Sequence, residues 1–136
     1  MDDKYTEKIR RLREVKEKAA KGGGDDKIAR LREQGKMTAR ERIEYLLDPG
    51  SFVELNPIIG HMEGTPADGL VAGYGTIAGR TVCIYSQDTT VKGGSIGPMH
   101  GFKMYRTIEW ALEMRVGSWW TNRVTCSSRD RASWAS

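Results

Sequence analysis

The chain has 136 residues, a formal net charge of +4, 16 glycines and 2 cysteines, a length that suits one small domain. Cys83 and Cys126 lie in unlike surroundings, which excludes a disulfide framework and a cysteine zinc centre. No apolar run reaches the length of a membrane span and the N-terminus is charged rather than apolar, so the expected compartment is the cytoplasm.

Residues 3 to about 21 predict a helix in which Tyr5, Ile9, Leu12 and Ala19 form one thin apolar stripe. Both signs of charge interleave along Glu7, Lys8, Arg10, Arg11, Arg13, Glu14, Lys16, Glu17 and Lys18. That pattern reads as a solvated helix with i,i+4 pairs, whereas nucleic-acid arms are one-signed. Gly22-Gly23-Gly24 ends the helix. Asp25 or Asp26 is the expected cap of a second helix through Glu33, with Ile28 and Leu31 inward. Thr38-Ala39-Arg40-Glu41 has the form of a capping box, and the helix it opens puts Ile43, Leu46 and Leu47 on one face. Its arginines could recognise a ligand, but a well-capped packing helix is the preferred reading. Asp48-Pro49-Gly50 closes it as a turn, and Phe52–Leu55 is a short strand candidate.

Asn56 to Ala67 carries Pro57, Gly60, Gly64 and Pro66 and reads as a loop. His61 lies in it as a lone loop histidine, and no metal role is assigned to it. Leu70–Ile77 and Thr81–Tyr85 are β-rich runs, and Ala78-Gly79 between them suits a two-residue hairpin turn. The second run is continuously apolar, as in a strand buried on both faces. A glycine-rich loop follows and opens a helix whose apolar stripe is Met104, Ile108, Ala111 and Leu112.

The glycines match neither G-x-G-x-x-G nor the P-loop order. Gly93-Gly94-Ser95, however, sits at a strand-to-helix junction. There its backbone amides are expected to point outward with a helix N-terminus behind them, which suits an anionic or carbonyl ligand. A glycine pair needed only for a sharp turn is the alternative.

The run Ser86–Gly101, SQDTTVKGGSIGPMHG, resembles the signature of carboxyltransferase subunits of biotin-dependent acyl-CoA carboxylases, of which the propionyl-CoA carboxylase β subunit is typical. A second block, GKMTARERI at residues 35–43 continuing through LLDPGSFVEL at 46–55, is similar to the same family. Lys92 stands where the family is often aromatic, and Pro98 where a Glu is common. The resemblance implies an α/β fold: an incomplete crotonase-like (ββα spiral) unit preceded by N-terminal helices. It implies an acyl-CoA substrate, with Lys92, Gly93, Gly94 and Ser95 lining its site. It also implies carboxybiotin on a partner, biotin carrier and biotin carboxylase subunits, and a homo-oligomer, with no covalently bound cofactor. His100 matches a family histidine and is read as packing or loop support. The family's enolate-stabilising amides belong to later glycine-rich loops, so no catalytic residue is assigned.

The resulting division is a helical segment at 1–50, a first ββα part at 51–116, and a tail at 117–136. The tail is rich in Ser, Arg and Trp without visible period, and a reading-frame shift near codon 116 or a divergent tail would account for it. The expected function is thus the N-terminal fragment of an acyl-CoA carboxyltransferase subunit, itself inactive. A non-catalytic assembly module built on the charged helices is the alternative, ahead of a basic nucleic-acid binder.

Overall fold

The structure, a computed structural model, describes residues 3–59 and 66–121. His61, Cys126 and most of the 117–136 tail lie outside the described residues. Three helices come first: α1 (Asp3–Ala20), α2 (Asp25–Glu33) and α3 (Ala39–Leu46). Among the described side chains of α1 only Ala19 is buried, and Tyr5 and Leu12 of the thin stripe are exposed. Neither Asp25 nor Asp26 caps α2. Gly24 holds the cap position without a side-chain bond, and the two aspartates lie in the first turn. There they complement the positive end of the helix dipole. Ile28 and Leu31 are half-buried.

α3 is set by its capping box. Thr38 Oγ1 accepts from Glu41 N–H at 3.2 Å, and Glu41 Oε2 accepts from Thr38 N–H at 2.8 Å. Ala39, Ile43 and Leu47 then meet Val71, Val82 and Ile84 of the sheet in one apolar cluster. Residues from the helical segment and from the ββα part therefore share a core. The arginines of α3 are spent on packing. Arg40 forms a half-buried bidentate pair with Glu54 at 2.6 and 2.8 Å, and Arg42 donates to Ser86 Oγ and the Gln87 carbonyl.

The sheet has four strands in the order β1 (Val53–Leu55), β2 (Leu70–Ile77), β3 (Arg80–Gln87) and β4 (Gly117–Thr121). The first three are antiparallel; β4 runs parallel to β3 after the crossover helix α4 (Pro98–Met114), the connection parallel strands require. At the β2–β3 turn Ala78 and Gly79 both have positive φ, +50° and +76°, matching the right-handed twist of the strands. Val82, Cys83 and Ile84 are all buried, as a two-face-covered strand demands, with α3 on one face and α4 on the other. Residues 117–121, read from sequence as aperiodic tail, form β4 with Val82 opposite Gly117 and Ser86 opposite Thr121. Pairing to β3 is a backbone matter, and Trp and Thr favour it.

Asp48 ties the hairpin to the end of α3. Its backbone N–H donates to Thr76 O at 2.7 Å, and its carboxylate accepts from Thr76 Oγ1, Ala78 N–H and Gly79 N–H at 2.7, 3.0 and 2.9 Å. Sequence reading treats Asp48 as a turn residue only.

The face that α4 turns to the sheet also differs from expectation. Its buried residues are His100, Lys103, Thr107 and Ala111, whereas Ile108 and Leu112 are 36% and 73% exposed. Two neighbouring stripes of this helix have helical spacing, and the polar one wins because its groups find local partners. Lys103 Nζ donates to the Leu70 carbonyl, Thr107 Oγ1 to Lys103 O, and the His100 ring bonds Asp68 O. Burial pushes the Lys103 amine down to about 8, with Glu54 pulling up, Arg40 pushing down and Asp68 pulling up.

Two outcomes follow. Asp48→Ala removes three bonds to a charged acceptor and should lower urea-measured stability by roughly 2–3 kcal/mol. Lys103 is protonated in the unfolded chain up to about pH 10.4 but in the fold only to about pH 8, so unfolding takes up a proton between those values. Stability relative to Lys103→Met should therefore be flat below pH 8 and rise toward pH 10, by about 3 kcal/mol at most. A difference that does not change across that window would show that burial does not perturb this amine.

Candidate functional site

The candidate site is the loop between β3 and α4, held from both sides. Asp88 N–H donates to Gly69 O at 2.8 Å, and Asp88 Oδ1 accepts from Thr90 N–H at 2.9 Å and from Thr90 Oγ1. Thr90 Oγ1 in turn accepts from Gly23 N–H at 2.9 Å. A Cβ on Gly23 would stand 1.9 Å from Thr90 O. The triple glycine thus brings the α1–α2 junction into backbone contact with this loop, beyond ending a helix.

Lys92, Gly93 and Gly94 follow with three successive positive φ values, +45°, +65° and +80°, and Ser95 returns to extended backbone. The turn closes on itself: Gly94 N–H donates to Val91 O at 2.8 Å and Ser95 N–H to Lys92 O at 3.2 Å, while Gln87 Nε2 bonds Gly94 O. These two amides are used within the turn and do not point outward as the sequence suggested.

The N-terminus of α4 has its own anion. Asp68, buried and at φ +48°, presents its carboxylate to the His100 N–H, and His100 Nδ1 donates to Asp68 O at 2.9 Å. A buried carboxylate at a helix N-terminus satisfies an orphan donor and the dipole together. His100 is 1% exposed, the supporting role expected of it. Cys83 is buried too, and burial pushes its thiol up, away from nucleophilic use.

What the loop does border is a cleft of about 320 Å³ against α2 and the start of α3. Lys27, Arg30, Lys36 and Arg42 line it, with Leu31, Met37, Thr89, Thr90 and Gly93. Of the four residues expected at the site, Gly93 lines this cleft; Lys92, Gly94 and Ser95 do not. Arg42, 6% exposed, is one of the charges there. Burial lowers its pKa, opposed by the nearby Asp88 carboxylate.

Residues 30–128 match the model of the carboxyl transferase domain family. This chain belongs to that family. The propionyl-CoA carboxylase carboxyltransferase subunit of Haloferax mediterranei is 44% identical over 116 residues, covering 79% of this chain and 22% of its own. Methylmalonyl-CoA decarboxylase subunit alpha of Veillonella parvula is 43% identical, covering 79% of this chain and 23% of its own. Among solved structures, hexameric transcarboxylase 12S with methylmalonyl-coenzyme A and methylmalonic acid bound shares 34% identity. Its TM-score is 0.79, over 98% of this chain and 28% of that one. The chain therefore spans about a fifth of the length of the curated relatives it matches. The fold is an incomplete crotonase-like carboxyltransferase unit preceded by helices. The family match runs to residue 128, past the point near 115 where the motif resemblance ends.

In this carboxyl transferase domain, sequence reasoning missed Asp68, Asp48 and the cleft cations of α2. Asp68 had one available signal, its place directly before a strand that leads to a Gly-Pro helix start. The cations had none, because their convergence depends on how α2 lies against the loop.

Gly23→Ala tests the junction. The added methyl meets backbone and cannot be accommodated by a rotamer change, so stability should fall by roughly 1–3 kcal/mol, read by urea unfolding. Amide protection at Thr90 should fall with it.

Proposed function

We propose that this chain is the N-terminal portion of an acyl-CoA carboxyltransferase subunit, and that alone it binds the thioester carrier without transferring carboxyl groups. In the whole subunit, carboxybiotin carried by a partner would supply the carboxyl group, and an acyl-CoA enolate would receive it. Such chemistry needs free backbone donors at the developing oxyanions. Here the Gly94 and Ser95 amides serve their own turn and the His100 amide serves Asp68, which supports a binding and scaffolding role for this portion.

One observation carries the reading: 98% of the chain superposes on transcarboxylase 12S, a structure holding methylmalonyl-coenzyme A, with a TM-score of 0.79. On this reading Lys92, Gly93, Gly94 and Ser95 bound one wall of the acyl-CoA site. The partners are biotin carrier and biotin carboxylase subunits and further copies of the subunit. Among the described residues no helix is long and apolar enough to cross a membrane, and the cytoplasm is the compartment we assign. The exposed apolar side chains of α4, Phe102, Tyr105, Ile108 and Leu112, are what a helix inside a larger unit would cover.

Coenzyme A binding measured by calorimetry tests this. The chain should bind coenzyme A, and Gly93→Trp, which places an indole where a Cβ now meets open space, should weaken binding at least tenfold. Neither should move label from carboxybiotin to propionyl-CoA. Equal affinity of the two proteins would remove the loop from the site.

A further inference from the structure

The α1 helix carries an apolar seam that the fold covers only at one end. At about 100° per residue, Tyr5, Ile9, Leu12, Lys16 and Ala19 fall on one narrow face, spaced alternately four and three apart. That is the spacing of a seam between two helices, narrower than the stripe that faces a globular core. Ala19 is buried where α1 meets the turn at Pro66–Gly69, but Tyr5 and Leu12 are 63% and 44% exposed. One continuous seam therefore starts within the fold and runs out of it.

The charges of α1 are sorted about that seam. Glu7 and Glu14 lie on the opposite face, where Arg10 joins them, and Glu17 lies closer to that face than to the seam. Lys8 and Arg13 border the seam, one on each side, and Lys16 lies within it. All three are exposed, and among the described residues none of them makes an ion pair within 4 Å. The seam thus has a positive border with no glutamate on it. That pattern selects the occupant. A second copy of α1, laid in either direction, would set cation against cation along the border. A lipid surface is served by a broad apolar face, and this one is narrow and interrupted by a lysine. A helix with its own apolar seam and a border of carboxylates complements both features. We propose that α1 is a docking helix for an acidic amphipathic helix of a different protein. Tyr5, Ile9 and Leu12 pack against its apolar residues, while Lys8, Arg13 and Lys16 pair with its carboxylates.

Fluorescence anisotropy of the whole chain with two labelled helical peptides tests this. Both carry the same leucine seam; one has glutamate along both borders and the other lysine, so that neither pairs with itself. The chain should bind the glutamate peptide roughly tenfold tighter than the lysine peptide or better. Lys8→Glu/Arg13→Glu should reverse the preference, a gain that unfolding cannot produce. Leu12→Ala should weaken binding of the glutamate peptide. Lys18→Glu/Arg80→Glu makes the same change in charge at exposed positions off the seam and should keep the parent's preference. Loss of preference in that control would make the effect one of net charge and overturn the proposal, as would binding of neither peptide by the parent. Two further results would overturn it by naming another occupant. One is binding to vesicles of equal parts phosphatidylcholine and phosphatidylglycerol, lost in Lys8→Glu/Arg13→Glu, with neither peptide bound. The other is a concentration-dependent dimer in sedimentation that Leu12→Ala dissociates, which would assign the seam to a second copy.

Discussion

Backbone contact between Gly23 and Thr90 is the constraint on which the candidate site depends. The Gly23 N–H donates to Thr90 Oγ1, and that hydroxyl donates in turn to Asp88. One hydroxyl thereby joins the helical segment to the loop within the signature run that starts at Ser86. Without it α2 would have no fixed relation to Gly93, and the cleft between them would have no defined wall. A side chain at position 23 cannot coexist with this contact. The chain accepts the conformational entropy of three glycines in a row to obtain it.

The other end of the loop is fixed by a different device. Asp68 sits in a left-handed conformation rarely adopted outside glycine, and from there its carboxylate and carbonyl both reach His100. Two residues further on, Leu70 O takes the Lys103 ammonium. The first turns of α4 are thus positioned by polar groups, at the cost of burying a lysine. Apolar packing alone would have allowed α4 to roll toward its Ile108–Leu112 stripe. The polar partners select one orientation, and they leave that stripe facing outward.

The sequence made some of this legible. The capping box at Thr38 and the Ala78-Gly79 turn are local: both halves of each interaction lie within four residues, so residue type and spacing decide them. The Ile43/Leu47 face of α3 followed from helical period alone. The orientation of α4 did not, because period counts apolar residues and cannot register that a lysine has a carbonyl waiting 33 residues away. β4 was hidden for the related reason that pairing to β3 is made through the backbone, and Gly117–Thr121 carry no alternation to announce it. The Lys92–Ser95 loop was placed correctly at the strand-to-helix junction, yet the direction of its amides was not. Three left-handed residues in a row turn the Gly94 and Ser95 donors back onto the loop.

The same distinction between local and distant partners sorts the charges. Where a cation has an acid three or four residues along its own helix, as Arg10 has in Glu7 and Glu14, the pair is exposed and adds little. Where the partner lies on another element, as Glu54 does for Arg40, the pair is half-buried and fixes α3 against β1. The cations of α2 that face the loop belong to neither class. Lys27 and Arg30 lie three residues apart and on one face of a nine-residue helix, with Lys36 beyond its end and Arg42 beneath. A short helix with no buried residue gains little by holding them together.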